Sequence, residues 1–555
     1  MDNYKIADSF SLLAKLMDIH GENSFKSKSY ASAAFAIENL TVQLSDLPAE
    51  KIASIKGIGA SSAQKISELL ATNELKVLED LIKKTPPGVL EMLNIKGIGP
   101  KKINTIWKEM EIESVGELLY ACKENRLKLY KGFGEKTQQN VIDTIEFYFK
   151  NKSSHLYVQA ELIEPHIKSF IEKIFPKRKL SVTGNFKRQL EIVDELEYLL
   201  EATEKEIENE MISVEGFTLK EKKENCFIFS TSAGIDVKIY WTTADNFAYD
   251  LIRTSSSDSF NSAFKKPAGK YDDEQACFEA AGISFIPSCL REDNKVLELA
   301  KKSQLPALIQ PSDIRGIIHC HSNWSDGSNT VEQMAQAAID RGLEYMVMSD
   351  HSKTAFYAQG LTEDRIREQH LYIDELNAKL KPFKIFKSIE SDILNDGNLD
   401  YSTDVLASFD LVIASVHSNL KMTEEKAMMR LLNAIQNPYT TILGHMTGRL
   451  LLSRPGYPVD QKKIVDACAA NHVAIELNAH PNRLDIDWRH IQYALEKNVL
   501  ISIDPDSHHV DGLSDTRFGV LVAQKAMVTK KQNLSSFSLK EFEEYIQNRR
   551  KLKGI

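Results

Sequence analysis

The stretch IIHCHSNWSDG, residues 317–327, ends an apolar run with two histidines one residue apart and an aspartate shortly beyond. Alternate residues of a strand project to one face, so His319 and His321 are expected side by side, which suits a metal ion and would be wasted in a core. The same residue types recur at the ends of later apolar runs: His351 after YMVMSD, Glu390 closing FKSIE, and His417 after LVIASV. His445 follows TTILG, and VLISIDPDSH supplies Asp506 and His508. With His319, His321 and Asp326 these make nine nitrogen and oxygen donors, too many for one ion and suited to two or three divalent metals of the zinc or manganese type. Such a cluster brings the pKa of a bound water into the neutral range and clamps a phosphoryl oxygen during in-line attack. Phosphate-ester hydrolysis by a metal-activated water is therefore the expected chemistry, and Arg449 in GHMTGRL is a candidate contact for a substrate phosphate. A lone histidine is more often a core or surface residue; the inference comes from nine donors, each at a strand end.

The elements that must position these donors alternate. From residue 314 onward strand-like runs interleave with helical stretches such as TVEQMAQAAIDRGL, the pattern of an α/β domain with a largely parallel, barrel-like sheet. The carboxyl ends of such strands share one edge, where active sites form. Residues 1–150 are instead helical, with apolar positions three and four apart in IADSFSLLAKLMDI and AQKISELLATNELKVLEDLI. Within them SIKGIGASSAQKI (54–66), NIKGIGPKKINTI (94–106) and LYKGFGEKTQQNV (129–141) repeat one unit. Gly57, Gly59, Gly97, Gly99, Gly132 and Gly134 allow close approach of the backbone, and the N–H groups of each following helix suit a phosphate. A single copy would be an ordinary glycine turn. Three copies, with Lys96, Lys101 and Lys102, predict helix-hairpin-helix binding of DNA through its backbone. Between these regions, CFIFSTS and IDVKIYW predict strands of a mixed sheet, and KKSQLPALIQPSD (301–313) a linker.

Composition bounds the rest. The 555 residues are 43% apolar and 26% charged, no stretch is long and apolar enough to span a bilayer, and MDNYKIADSF lacks the features of a signal peptide. Six cysteines without a CxxC pair exclude a disulfide framework and a thiolate zinc finger. A cytoplasmic monomer is expected. The net charge of −9 argues against whole-molecule attraction to nucleic acid, though not against local basic patches.

HCHSNWSDG, SDHS, SIE, ASVHSN, GHMTGRLL, ELNAHPNRLD and DPDSH together resemble the PHP (polymerase and histidinol phosphatase) domain, in the form found at the C-terminus of bacterial family X DNA polymerases. ENSFKSKSYASAAFAIENL (22–40) is similar to the opening helical module of that family, so the resemblance covers essentially the whole chain. It implies a multidomain protein: helical DNA-binding modules at 1–82 and 83–150, the second fingers-like, and an α+β nucleotidyltransferase-like palm at 151–245. A small thumb follows at 246–300, and after the linker comes a distorted α/β barrel at 314–555. It also implies 3′→5′ exonuclease, AP-site or 3′-end processing activity with manganese or zinc in the barrel.

The palm departs from the family pattern. In GNFKRQLEIVDELEYLL (184–200) Gly184 and Arg188 match the triphosphate-binding motif, but Asn185 replaces a serine and Glu195 and Glu197 stand where the family has an Asp-x-Asp pair. Asp236 holds the third position. Glutamate binds magnesium or manganese, but its extra methylene shifts the carboxylate, and in-line chemistry is lost with about 1 Å of misplacement. The nucleotide-stacking aromatics are absent from IRTSS (252–256), and the segment that should follow is shortened to KKPAGKYDDE (265–274). Weak or absent polymerase activity is expected, with dNTP a partner only if the palm is active. The alternatives are an active gap-filling polymerase with a PHP nuclease, a histidinol-phosphate-type small-molecule phosphatase, and a non-catalytic DNA-binding scaffold.

Overall fold

The computed structural model describes residues 3–38, 40, 42–95, 97–149 and 154–555, and the chain divides into two units, 1–148 and 149–555. In the first, helices Asn3–Ile19, Ala60–Thr72 and Pro100–Lys108 bury one apolar stripe each, with Phe10, Leu13, Ile66, Ile103 and Trp107 in the interior. The repeated glycine phrase takes one conformation three times. Gly57, Gly97 and Gly132 adopt φ of +97°, +95° and +92°, open to glycine at little cost, and Gly59 and Gly99 each cap the following helix in extended geometry. Pro100 occupies the first turn of its helix, where no backbone donor is lost.

The second unit opens with β1 (His155–Leu156), β2 (Leu180–Thr183), β3 (Ile192–Val193), β4 (Glu195–Glu201), β5 (Phe217–Lys222), β6 (Cys226–Thr231) and β7 (Asp236–Thr242). β1 pairs with β3, and the other five form a sheet in the order β2-β4-β7-β6-β5, in which only β4 and β7 run parallel. This is the expected mixed sheet. Leu196, Tyr198, Leu200, Phe227, Phe229 and Ile239 fill its buried side.

The barrel is built from β8 (Gly316–Cys320), β9 (Tyr345–Met348), β10 (Lys384–Asp392), β11 (Leu411–Ser415), β12 (Thr440–Leu443), β13 (Ala474–Asn478) and β14 (Ile501–Asp504). All seven pair in chain order and in parallel. Their near-continuous apolar runs are the mark of strands buried on both faces, with helices such as Val331–Asp340, Glu424–Gln436 and Thr516–Lys525 outside. The ends approach closure where Cys320 bridges to Ser507 and the His321 N–H donates to the Ser507 carbonyl at 2.8 Å.

Three contacts fasten the regions before residue 300 to the barrel domain within this unit. Arg517 grips Glu161 with two bonds of 2.7 and 2.5 Å, Arg489 lies 2.9 Å from Glu191, and Lys525 lies 2.8 Å from Glu292. All six cysteines are buried and unpaired, and no helix among the described residues is long and apolar enough to cross a membrane.

Candidate metal centre

The nine donors converge at the carboxyl ends of the barrel strands. Three groups form, each with its ligand atoms within 4.8 Å of one another: His321, Asp326, His351 and His508; His319, His321, Glu390 and Asp506; and His351, Glu390 and His417. His321, His351 and Glu390 are shared, so the groups overlap as a cluster. His445 joins through Nε2, 3.0 Å from Glu390 Oε1. Glu390, at the centre, also lies 3.1 Å from His417 Nε2 and 3.0 Å from His351 Nδ1.

Two histidines meet here for a reason other than strand alternation. His319 has φ of +64°, and the β8–β9 register slips between Ile317 and Cys320. The bulge, not a shared strand face, brings the rings of His319 and His321 to 5.2 Å between centroids. Asp506, at φ +50°, is a second donor in the left-handed region. A non-glycine residue held there costs roughly 1–3 kcal/mol, a strain found where side-chain aim matters more than local comfort.

The electrostatics favour a cation. His319 is fully buried, and burial alone would lower its pKa, but the charges of Asp506, Glu390 and Glu476 raise it well above the usual imidazole value. His351 is pushed to about 10 because Asp326 and Glu390 outweigh burial. His321 is lowered to about 3 by burial and by the positive charges of His508 and His351. Nδ1 of His321 and Nδ1 of His445 are buried with no hydrogen-bond partner. Carboxylates short of positive charge beside imidazole nitrogens short of partners fit divalent metal ions, with no thiolate in the set.

A supporting layer was not among the sequence candidates. Glu476 on β13 lies 2.5 Å from His319 Nδ1 through one oxygen and accepts the His445 N–H through the other. Asp392, two residues past Glu390 on β10, lies 2.5 Å from His417 Nδ1. Asn478 donates to Asp506 at 3.0 Å. Buried Asp350 accepts from the backbone and hydroxyl of Ser322, the Ser325 hydroxyl and the Gln369 amide, and so fixes the loop carrying His321 and Asp326. Such partners set the tautomer and aim of each ligand, and their loss typically lowers affinity or activity 10–100-fold. A carboxylate two residues from a strand-end ligand was the available signal for Asp392, and for Glu476 it was the place at the head of ELNAHPNRLD.

Arg449 requires correction. Its guanidinium binds Asp487 at 2.6 Å and the carbonyls of Arg483 and Leu484, so it ties down the loop 483–487. The arginine beside the cluster is Arg483, 93% buried along its side chain, with Nε 3.7 Å from Asp506 Oδ2.

The palm triad is arranged differently. Glu195 pairs with Asp236 and Glu197 with Lys238 in the β4–β7 register. Lys238 Nζ lies 3.0 Å from Glu195 and 3.4 Å from Glu197, Tyr240 donates to Glu197 at 2.9 Å, and Lys220 lies 2.5 Å from Asp236. Gly184, at φ +63°, packs so tightly that a Cβ would fall 1.8 Å from Glu197 Oε1. Arg188 is bonded to Glu292, Asn185 and the Ser256 carbonyl. Among the described residues these carboxylates form no metal-ligand group. In the first unit, Gly59, Gly97, Gly99, Gly132 and Gly134 face open space where a Cβ would meet nothing, whereas one on Gly57 would strike Ala36. Lys96 lies outside the described residues.

Comparisons with known proteins now carry weight. Residues 1–75 match the helix-hairpin-helix domain, 89–146 the SAM-like helix-hairpin-helix tandem, and 318–480 the PHP domain. The DNA polymerase/3′-5′ exonuclease PolX of Bacillus subtilis (strain 168) is 31% identical over 563 residues, spanning 96% of this chain and 97% of its own. The chain belongs to the PolX family. A probable phosphatase of Thermoanaerobacter sp. (strain X514) is 30% identical over 169 residues, 29% of this chain and 62% of that protein. A probable phosphatase of Caldanaerobacter subterraneus subsp. tengcongensis shares 27% over 169 residues, 29% of this chain and 60% of its own. PolX membership thus accounts for the whole chain and the phosphatase likeness for about a third of it.

Proposed function

We propose that this PolX-family chain is a DNA-repair nuclease that hydrolyses phosphodiesters at a 3′ end, at the cluster around Glu390, while its helix-hairpin-helix repeats hold the DNA backbone. One observation carries the proposal: eight nitrogen and oxygen donors meet in overlapping metal-ligand groups and His445 joins them through Glu390, all nine from the ends of six strands, in a chain that aligns end to end with a DNA polymerase/3′-5′ exonuclease. His319, His321, Asp326, His351, Glu390, His417, His445, Asp506 and His508 would hold two or three manganese or zinc ions. Bound there, the ions supply Lewis-acid charge and an acidified water to phosphoryl transfer. The chain supplies the rest. Glu476 and Asp392 orient His319 and His417, Asp350 fixes the His321–Asp326 loop, and Arg483 adds a positive charge beside Asp506 for a phosphate oxygen.

The test is a 5′-labelled gapped duplex with the purified protein and manganese. Stepwise shortening that chelation with EDTA abolishes is expected; an unchanged strand would favour the small-molecule phosphatase or scaffold readings. The phosphatase likeness is confined to the barrel, and a metabolic phosphatase has no use for DNA-binding repeats. That favours the nuclease.

The palm, in this proposal, does not extend primers. Lys238 and Lys220 stand against the carboxylates that would hold magnesium, and Arg188 is bonded to Glu292 rather than exposed to a triphosphate. Adding dNTPs to the same assay in magnesium should produce no templated product. Extension that vanishes in Glu195→Ala would restore the polymerase.

The repeats should bind through phosphates. Lys101→Ala and Lys102→Ala should each lower the slope of log K against log salt by about one and weaken binding similarly on unrelated sequences. A sequence-selective loss in a fluorescence-anisotropy titration would contradict backbone recognition.

A further inference from the structure

We infer that Phe356, with Tyr357 behind it, is a stacking platform for the 3′-terminal nucleobase of the strand being shortened; this rests on the nuclease reading above. Phe356 is 79% exposed, against 66% for Leu371 in the same domain. An isolated exposed apolar side chain is ordinary, so exposure alone argues nothing. Position argues more. The Tyr357 ring centroid lies 6.5 Å from that of His351, a member of two of the three ligand groups, and the Phe356 ring lies 5.9 Å beyond Tyr357 at 76°. A terminal base sits one sugar away from the phosphodiester that joins its nucleotide to the chain. The aromatic pair likewise begins beside the cluster and leads outward from it.

The loop that carries the pair is braced, which an incidental surface aromatic would not need. Its ends are tied where Ser352 N–H donates to the Glu390 carbonyl at 3.1 Å and Leu361 N–H to the His351 carbonyl at 2.8 Å. Asp400 accepts the Thr354 N–H at 2.6 Å, and Tyr401 accepts the Lys353 N–H at 3.0 Å. Gly360 packs so closely that a Cβ would fall 1.8 Å from the Ser352 carbonyl oxygen. Arg365 donates to the Gln359 carbonyl at 2.6 Å and to the Trp324 carbonyl, joining the aromatic loop to the loop between His321 and Asp326. An aromatic ring carried on a braced backbone beside a phosphoesterase centre can accept any base, because every base presents a π-face.

The test uses the full-length protein with manganese and two 5′-labelled single strands. They are identical except that one ends in thymidine and the other in a base-less tetrahydrofuran nucleotide. Removal of the first nucleotide is compared as kcat/KM. The natural chain should prefer the thymidine end by roughly five- to a hundredfold, the range that stacking on an aromatic ring supports. The preference should reside mainly in KM. Phe356→Ala should bring the ratio toward one and Phe356→Trp should keep it, while Leu371→Ala, a surface control, should leave it unchanged. Equal shortening of both ends by the natural chain would overturn the platform and leave the nuclease standing, as would a preference that survives Phe356→Ala. Neither end being shortened would overturn the nuclease reading and the platform with it.

Discussion

His319→Ala is expected to abolish measurable shortening of the gapped duplex and to reduce the metal that co-purifies with the protein. His319 is completely buried among three carboxylates, with Nδ1 2.5 Å from Glu476 and Nε2 3.2 Å from Glu390 and 3.3 Å from Asp506. Removing the imidazole deletes a metal donor, and because losing the outer partner of a ligand alone typically costs 10–100-fold, losing the ligand itself is expected to cost roughly 10²–10⁴-fold in rate, about 3–5 kcal/mol of barrier. Glu476→Gln should fall between the two proteins, about 10–100-fold down, because it disturbs the aim of His319 and keeps the ligand. Metal content by mass spectrometry, with circular dichroism to confirm folding, separates loss of the site from loss of the fold. Full activity in folded His319→Ala would remove this cluster as the catalytic centre.

Glu292→Ala is expected to destabilise the second unit by about 3–5 kcal/mol, a large part of the 5–15 kcal/mol that holds a domain folded. The Lys525 side chain is fully buried and its ammonium sits between Glu292 and the Arg188 carbonyl, at 2.8 Å from each. Burial lowers its pKa, with Glu292 the main opposing influence. Without Glu292 the lysine loses the carboxylate it touches, and Arg188 loses its ion-pair partner too. Lys525 lies 4.7 Å from the centroid of Trp488, so indole fluorescence during urea unfolding follows this joint. Adding Lys525→Met to Glu292→Ala should recover stability, since deleting both charges costs less than stranding one. A midpoint equal to that of the natural chain would show the joint to be mechanically unimportant.

The barrel was legible because its strands are short continuous apolar runs, six of the seven with a candidate ligand at or just past the carboxyl end. The repeats were legible because glycine has few substitutes at φ near +95°. Other features depend on contacts between distant residues, which no local pattern encodes. Glu476 supports His319 from 157 residues away, and the loop that Arg449 ties down brings Arg483, not Arg449, beside the cluster. The bulge at His319 was invisible for a different reason. Apolar alternation continues through it, and only the neighbouring strand reveals the slipped register. In the palm the two glutamates and the matching glycine and arginine could be located by motif, but Lys238 and Lys220 could not, because lysine on a sheet face ordinarily points to water.

The closing of the barrel sets a schedule for the growing polypeptide. His321 and Asp506 meet across 185 residues, and the backbone link between His321 and Ser507 forms only when the last strand is in place. Until a ribosome has delivered that segment, the emerging chain carries its helix-hairpin-helix repeats and seven of the nine candidate ligands, and lacks Asp506 and His508. Two of the three ligand groups therefore stay incomplete in any chain that stops short of the last strand.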